Sequence, residues 1–217
     1  MSQFVNVSKK CAVCGKEYSF TEILSTNSFG YCDLDTRPPG MERSCLRAMI
    51  HRCPNCQYAN YDIEELIPES TREALNCVYY QEIVNDGAIE DAAKSFLLAG
   101  FLYSRAKLYA EAGLCFLRAA WVFDDALQNQ FAIRARQNAV ECLIRHDNSD
   151  ENMNINMAIV DIYRRIRNFE AAKNYATQLL ERGVDEEISQ VLRYELILIK
   201  SKNTACHSIG EMRGFFF

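Results

Sequence analysis

Two short cysteine pairs constrain this chain more than any other feature of its sequence. They are Cys11-Ala-Val-Cys14 and Cys53-Pro-Asn-Cys56, and 38 residues separate them. A single pair of this kind suits a redox dithiol, whereas two pairs suit a tetrahedral site in which each pair presents two thiolates to one ion. Because four protein ligands fill such a site, no coordination position stays open for water. The spacing therefore predicts one structural metal ion bound by Cys11, Cys14, Cys53 and Cys56.

The ligand set leaves the identity of the ion open. Zinc and iron both accept four thiolates, and the first pair continues as C-x-x-C-G-x-x-Y, which resembles the iron-holding knuckles of rubredoxin. Gly15 lets the first knuckle turn tightly, and Pro54 restricts the turn of the second. We expect zinc, with iron as the alternative. Residues 46–53 are expected to lead into the second pair as a strand, with His51 as a packing or surface residue.

The start of the chain and the remaining cysteines bear on the compartment. Residues 1–10 contain no apolar segment of a signal peptide, and no apolar run approaches the ~18 residues of a membrane-spanning helix. A reducing compartment is then the default, in which a disulfide framework is not expected. We therefore expect a cytoplasmic protein without a membrane partner. Five cysteines outside the pairs are expected to be buried or idle thiols: Cys32, Cys45, Cys77, Cys115 and Cys142.

The segment between the two pairs contains a distinctive run of residues. It reads Asn27-Ser-Phe-Gly-Tyr-Cys-Asp-Leu-Asp-Thr-Arg-Pro-Pro-Gly-Met-Glu-Arg43. Together with the cysteine pairs, this run resembles an uncharacterised bacterial family, domain of unknown function 2225. The resemblance covers most of the chain and implies a zinc ribbon followed by tetratricopeptide-like helices, without a settled activity. It is carried by Cys11, Cys14, Asp33, Asp35, Arg37, Pro38, Cys53 and Cys56, whereas Gln57 stands where members often have Gly.

The charged residues of this run have three interpretations. Asp35 and Arg37 could pair across the turn that follows them and brace a long loop with little core of its own. Alternatively, the run is a recognition loop that offers carboxylates and guanidinium groups to a partner. Acid–base catalysis is the least favoured, because no histidine or nucleophile pattern lies nearby. The candidate recognition residues are Asp33, Asp35, Arg37 and Arg43.

From residue 68 onward, apolar residues recur at helical spacing. A capping box at residues 70–73 predicts the start of the first of seven helices, and Asp86 is expected to cap the second. Gly183 is expected to end the sixth. The six helices after the first are expected near residues 88–105, 109–123, 127–146, 153–166, 168–182 and 186–201.

Two pairs of these helices share a pattern of small and aromatic residues. Tyr103 and Ala112 recur 60 residues later as Tyr163 and Ala172, in positions typical of tetratricopeptide repeats. Because 60 is not the ~34-residue period of tandem repeats, we expect a degenerate array in which the helix at 127–146 is atypical.

Two features near the end of the chain have open interpretations. Arg164, Arg165 and Arg167 form either a functional cationic cluster or solvated charge at the end of a helix. The tail, residues 201–217, is either frayed or folds back on the helices as an anchor.

The sequence thus predicts a mostly α fold with three parts. Residues 1–61 form a small zinc-ribbon-like or rubredoxin-like β module, residues 62–202 a tetratricopeptide-like body of antiparallel helical repeats, and residues 203–217 a tail. We expect the module and the body to fold separately, because metal holds the first and helix packing holds the second.

The favoured function is that of a non-enzymatic interaction protein, whose zinc-bound module and helical scaffold bind a protein or peptide. The sequence has no Gly-rich phosphate loop and no nucleophile–base pattern, so catalysis is not predicted. The alternatives are a nucleic-acid-binding zinc-ribbon protein and a rubredoxin-like iron redox protein. In a chain of net charge −5, residues 1–60 hold seven Lys or Arg against five Asp or Glu, a weak footprint for nucleic acid.

Overall fold

Two antiparallel β-hairpins and nine α-helices occur in the residues that this computed structural model describes, which are 2–68, 72–146 and 152–216. The strands are β1 (Gln3–Lys10), β2 (Glu17–Ser25), β3 (His51–Arg52) and β4 (Ala59–Asn60). The helices are α1 (Gly40–Arg43), α2 (Val78–Asn85), α3 (Asp91–Arg105), α4 (Tyr109–Asp125), α5 (Asn129–Leu143), α6 (Met153–Arg165), α7 (Phe169–Arg182), α8 (Glu186–Lys200) and α9 (Ile209–Phe216). The fold is mostly α with a small β module, as the sequence predicts.

The contacts of the chain divide it into two compact units. The first unit comprises Met1–Asn27 and Met41–His146, and the second comprises Ser28–Gly40 and Asp147–Phe217. Both hairpins, with their cysteine pairs, therefore belong with α2 to α5. The run between the cysteine pairs belongs with α6 to α9. This grouping differs from the predicted boundary at residue 61, which stays a prediction about independent folding.

The stretch before the second cysteine pair is not the strand that the sequence predicts over residues 46–53. Ser44–Ala48 forms a 3₁₀ helix, and only β3 is extended, paired with β4. The reason is that Cys45 and Leu46, which are adjacent, are both buried, and this suits a tight helical turn better than the alternation of a strand. His51 is a packing residue, buried against an aromatic ring of β2.

Two glycines set the close packing of α3, α4 and α5. A Cβ at Gly113 of α4 would lie 2.5 Å from Cδ2 of Leu143 in α5, far inside van der Waals contact. A Cβ at Gly100 of α3 would lie 3.0 Å from the ring of Phe116 in α4. The absence of a side chain at both positions therefore lets neighbouring helices approach each other.

Four helices end in the same turn. α3, α4, α6 and α8 are each followed by a left-handed residue other than glycine, with φ between 54° and 67°. After α3, the N–H of Lys107 donates to the carbonyl oxygen of Ser104 (3.1 Å), and the next N–H donates to that of Tyr103 (2.9 Å). The other three turns repeat this pattern. The left-handed residues are Lys107, Leu127, Arg167 and Lys202.

The repeated turn changes the interpretation of the helix expected at 127–146. α5 follows α4 through the same turn that joins α3 to α4, so it is not atypical in this respect. The aromatic–alanine pattern of Tyr103 and Ala112 also recurs 20 residues later, as Phe123 and Ala132, and both alanines are buried. A comparison restricted to positions 60 apart misses this nearer copy.

The predicted helix boundaries have mixed outcomes. The capping box at 70–73 begins with two residues that lie outside the described part of the chain. Glu90, rather than Asp86, caps α3, because its carboxylate accepts two N–H groups of the first turn (2.7 and 3.0 Å). Gly183 ends α7 with a φ of 81°, as predicted.

The second unit has two clusters of buried apolar residues. One lies among α6, α7 and α8 and consists of Val160, Ala172, Ala176, Leu179, Leu192 and Ile199. The other brings the segment 28–40 and α9 onto α8 and consists of Leu34, Val191, Tyr194, Leu198 and Met212. Part of the tail therefore folds back as an anchor, which was one of its two expected forms.

The glycine contacts lead to a stability prediction. Gly113→Ala should lower the free energy of unfolding by about 1–2 kcal/mol, because overpacking costs about 1–3 kcal/mol and the helix propensity of alanine offsets less than about 1 kcal/mol of it. Gly87→Ala is the control, because no atom lies within 4 Å of a Cβ at that position. Urea unfolding followed by circular dichroism measures both variants. Equal midpoints for Gly113→Ala and Gly87→Ala would contradict the packing argument.

Candidate metal centre and the predicted recognition loop

Each cysteine pair lies in the turn of a β-hairpin, the first between β1 and β2 and the second between β3 and β4. In the first turn the N–H of Gly15 donates to the carbonyl oxygen of Cys11 (2.8 Å), and in the second Gln57 donates to Cys53 in the same way (2.9 Å). In both turns the N–H of the first cysteine is also bonded back across the hairpin (2.9 and 2.8 Å). The two turns therefore share one backbone conformation.

The two turns bring four sulfur atoms together. All four Sγ atoms lie within 4.8 Å of one another. The Sγ atoms of Cys11 and Cys56 are 3.7 Å apart, and those of Cys14 and Cys53 are 3.6 Å apart. A tetrahedral zinc ion with Zn–S bonds of about 2.3 Å has S···S distances of about 3.8 Å. The four cysteines are therefore close enough to bind one metal ion, and their chemistry suits zinc or iron.

Burial and hydrogen bonding affect the thiol pKa values within this cluster. Cys11 and Cys53 are buried, and burial raises the pKa of Cys11 and of Cys56. At Cys14 burial also acts to raise the pKa, but a hydrogen bond from the backbone of Lys16 and those of neighbouring thiols outweigh it and lower the pKa to about 7. Because four thiolates this close repel one another, their complete deprotonation requires a bound cation.

The residue after each second cysteine adopts a left-handed conformation. Gly15 has a φ of 71° and Gln57 a φ of 62°. The second knuckle thus keeps the geometry of the first although it has Gln where the resembled family often has Gly. The carbonyl of Gln57 accepts a hydrogen bond from the hydroxyl of Tyr80 in α2 (2.7 Å), which helps to fix this conformation.

The second knuckle is also hydrogen-bonded to two further helices. Asn60 in β4 is buried, and its amide oxygen accepts a short hydrogen bond from the hydroxyl of Tyr103 in α3. The hydroxyl of Tyr61 accepts a hydrogen bond from Arg118 in α4 (2.5 Å). The sequence analysis missed these residues because their polar groups follow no periodic pattern. The only signal was the polar and aromatic run Tyr58-Ala-Asn-Tyr61 directly after the knuckle.

The candidate recognition residues are not gathered on one surface. Asp33, Asp35 and Arg37 are buried in the second unit, whereas Arg43 belongs to α1 in the first. The carboxylate of Asp35 accepts the N–H of Arg37 (3.2 Å) and forms an ion pair with Arg165 of α6 (3.5 Å). These contacts favour the bracing interpretation, and recognition by this run stays a prediction.

Asp33 ties the same run to the segment before α9. It forms a β-bridge with Ser208, and its carboxylate accepts a hydrogen bond from the thiol of Cys206 (3.2 Å). The N–H of Leu34 donates to the carbonyl of His207 (2.9 Å). The run is therefore held by the C-terminal part of the second unit, rather than by the cysteine cluster that flanks it in sequence.

Arg164 is neither part of an exposed cationic cluster nor solvated, as the two sequence interpretations had it. Its side chain is fully buried, and it pairs with Asp161 in α6 and with Glu195 in α8 (2.7 Å). It also donates to the carbonyl oxygens of Asn203 (2.8 Å) and Ala205 (2.9 Å). The guanidinium therefore joins α6, α8 and the chain that follows α8. Such long-range partners leave no mark on a local run of arginines.

The comparisons with known proteins place most of the chain in one family model. The model described as Uncharacterized protein conserved in bacteria (DUF2225) matches residues 4–212. A search of curated proteins and a search of solved structures found no match. Over the described residues, every helix falls short of the length and apolar character needed to cross a membrane.

The buried charge cluster leads to a prediction about pH. Burial and the negative charge of Asp161 raise the pKa of Glu195 well above its ordinary value. A raised pKa in the folded state means that stability is lost as the pH rises through it, and each unit of elevation is worth about 1.4 kcal/mol. Glu195→Gln should remove this loss, so its advantage in unfolding free energy over the wild type should exceed about 1 kcal/mol at pH 8 and shrink toward pH 5.

Urea unfolding at both pH values tests this expectation. Glu181→Gln, which alters an exposed carboxylate of α7, is the matched control and should show no such pH dependence. A constant difference between Glu195→Gln and the wild type from pH 5 to pH 8 would contradict the assignment.

Proposed function

The chain belongs to the bacterial family of domain of unknown function 2225, and we propose that it acts there as a metal-stabilised protein-interaction scaffold without catalysis. One structural zinc ion, bound by Cys11, Cys14, Cys53 and Cys56, would stabilise the first unit. The observation that carries this proposal is the convergence of four sulfur atoms from two separate hairpin turns within 4.8 Å.

The cluster suits a structural ion because the hairpin turns contribute all four ligands. β3 and β4 contain two residues each, too few for an independently stable hairpin. A bound ion would close the long loop between the two turns and fix both hairpins at once. Structural zinc in peptide-sized folds contributes apparent binding free energies of about 10–16 kcal/mol, which is ample for this purpose.

The stabilising effect would extend beyond the hairpins. Tyr80, Tyr103 and Arg118 place hydrogen bonds from α2, α3 and α4 on the second knuckle and the residues after it. If that knuckle unfolds, buried tyrosine hydroxyls lose their partners, and each unsatisfied buried group costs about 1–3 kcal/mol. The geometry thus supports shared stability within the first unit, in contrast to separate folding on either side of residue 61.

The basic residues of the N-terminal part support a protein partner over a nucleic acid. Lys9 pairs with Glu22 (2.6 Å) and Asp62 (3.2 Å), and Arg47 lies 3.6 Å from Glu90. Pairing within the protein reduces the positive charge available to phosphates. All ten cysteines are free thiols, which supports the cytoplasm as the compartment.

A rubredoxin-like iron redox protein is the second candidate function. The observation that favours it is the ligand set itself, because four thiolates suit iron as well as zinc. Absorption in the visible region separates the two candidates, since iron bound by four thiolates is coloured and zinc is not.

The metal assignment predicts about one zinc ion per purified chain. Cys53→Ser should lose that ion, because it removes one of four ligands. Cys77→Ser is the matched control: Cys77 lies outside the cluster and caps α2 through its Sγ atom, a position that serine favours. Elemental analysis of all three proteins measures the content. Equal metal in Cys53→Ser and the wild type would contradict the site, and stoichiometric iron would favour the redox candidate.

Chelation should also destabilise helices of the first unit. Trp121, the single tryptophan of the chain, is buried in α4, so its fluorescence follows the unfolding of that helix. Removal of the metal should lower the midpoint of this transition by at least about 10 °C, because each kcal/mol is worth several degrees. An unchanged midpoint after complete metal removal would instead show that the hairpins and the helices fold separately.

A further inference from the structure

A cleft of about 240 Å³ opens among α2, α3, α4 and α5 of the first unit. Small-molecule sites commonly enclose about 300–1,000 Å³, so this cleft has the size for one bulky side chain rather than for a whole small ligand. The residues that matter for its chemistry are Glu82, Ile83, Leu97, Phe123, Phe131 and Arg134.

The base of the cleft is apolar. Ile83, Leu97 and Phe123 are buried there. The ring of Phe131 stacks on that of Phe123 with centroids 5.3 Å apart, and Tyr79, which is 46% exposed, also lines the cleft. Aromatic side chains in this arrangement form a rigid surface on which an apolar anchor can bury itself at low entropic cost.

The walls of the cleft present opposite charges. Glu82 projects from α2 and Arg134 from α5, and both residues are exposed. Within the described residues, neither side chain forms a hydrogen bond or an ion pair. Asp86, directly after α2, adds a second carboxylate on the α2 side, although it also accepts an N–H from Ala88 (2.8 Å). A ligand with a basic group toward α2 and an acidic group toward α5 would be electrostatically complementary.

We infer that this cleft binds a short protein segment in which a bulky apolar residue lies between a basic and an acidic residue. The inference rests on the proposed interaction function and names the ligand class for it. Apolar burial would supply most of the affinity, and the two wall charges would set the direction of the segment. The carboxylates on the α2 side would repel a nucleic acid.

A larger cleft in the same unit has different chemistry. It measures about 650 Å³, and Arg47, Arg52, Glu90 and Asp91 are among its lining residues. Arg52 pairs with Asp91, and Arg47 lies 3.6 Å from Glu90. A ligand there would have to break these pairs, whereas the charges of Glu82 and Arg134 are available. Binding at the larger cleft is therefore the competing outcome.

The test uses the full-length, zinc-loaded protein labelled with ¹⁵N and two capped pentapeptides, Lys-Ala-Phe-Ala-Glu and its reverse. We expect one of them to give saturable chemical-shift changes at the amides of Ile83, Leu97 and Phe131. Replacing its Phe by Gly should weaken binding at least ~10-fold, because one large apolar side chain is worth about that much or more. Shifts confined to the larger cleft, equal binding of the Gly peptide, or no saturable shift would each overturn the inference.

Charge reversal gives a second, independent readout. Glu82→Lys should weaken the better peptide several-fold, and replacing the peptide's Lys by Glu should restore binding to this variant. Glu141→Lys, an exposed position on α5 that does not line the cleft, is the matched control. Equal binding by Glu82→Lys and Glu141→Lys would overturn the charge argument. A zinc-loaded protein that binds none of the peptides refutes this inference alone, whereas a protein without stoichiometric metal refutes the proposed function.

Discussion

The convergence of two hairpin turns on four sulfur atoms is the constraint on which the first unit depends. The turns share one backbone conformation, including a left-handed residue after the second cysteine of each pair. The second turn is in addition hydrogen-bonded to helices through Tyr80 and Tyr103. A feature that spans a few residues in sequence therefore positions helices that follow it by tens of residues. The cleft formed by α2 to α5 belongs to the same unit and relies on the same framework.

The second unit depends on an interaction of another kind. Arg164 is a buried cation surrounded by Asp161, Glu195 and two backbone carbonyls, and no sulfur cluster contributes to this unit. Removing one partner from such a cluster leaves uncompensated charge in the interior, which costs about 3–5 kcal/mol. Because its partners come from α6, α8 and the chain after α8, the guanidinium fixes the packing of these elements relative to one another.

The sequence predicted those features that depend on local spacing. Two C-x-x-C motifs were sufficient to bring Cys11 and Cys53 into one cluster, since each knuckle is a property of a few consecutive residues. Helical periodicity likewise predicted most helices, and Gly183 marked the end of one. The burial of Asp35 was not predictable in this way, because its partner Arg165 lies 130 positions further along the chain. No pattern within the run around Asp35 reports on α6, and the same reason hid the role of Arg164.

The assignment of residues 28–40 to the second unit has a consequence for the order of folding during synthesis. The cysteine cluster can assemble soon after Cys56 leaves the ribosome. The run around Leu34, however, must wait for Met212 and its neighbours, with which it packs. At translation rates of about 5–20 residues per second, this wait is on the order of ten seconds. During that interval an apolar segment protrudes between two metal-ligand hairpins, and it is a natural client for a chaperone on the nascent chain.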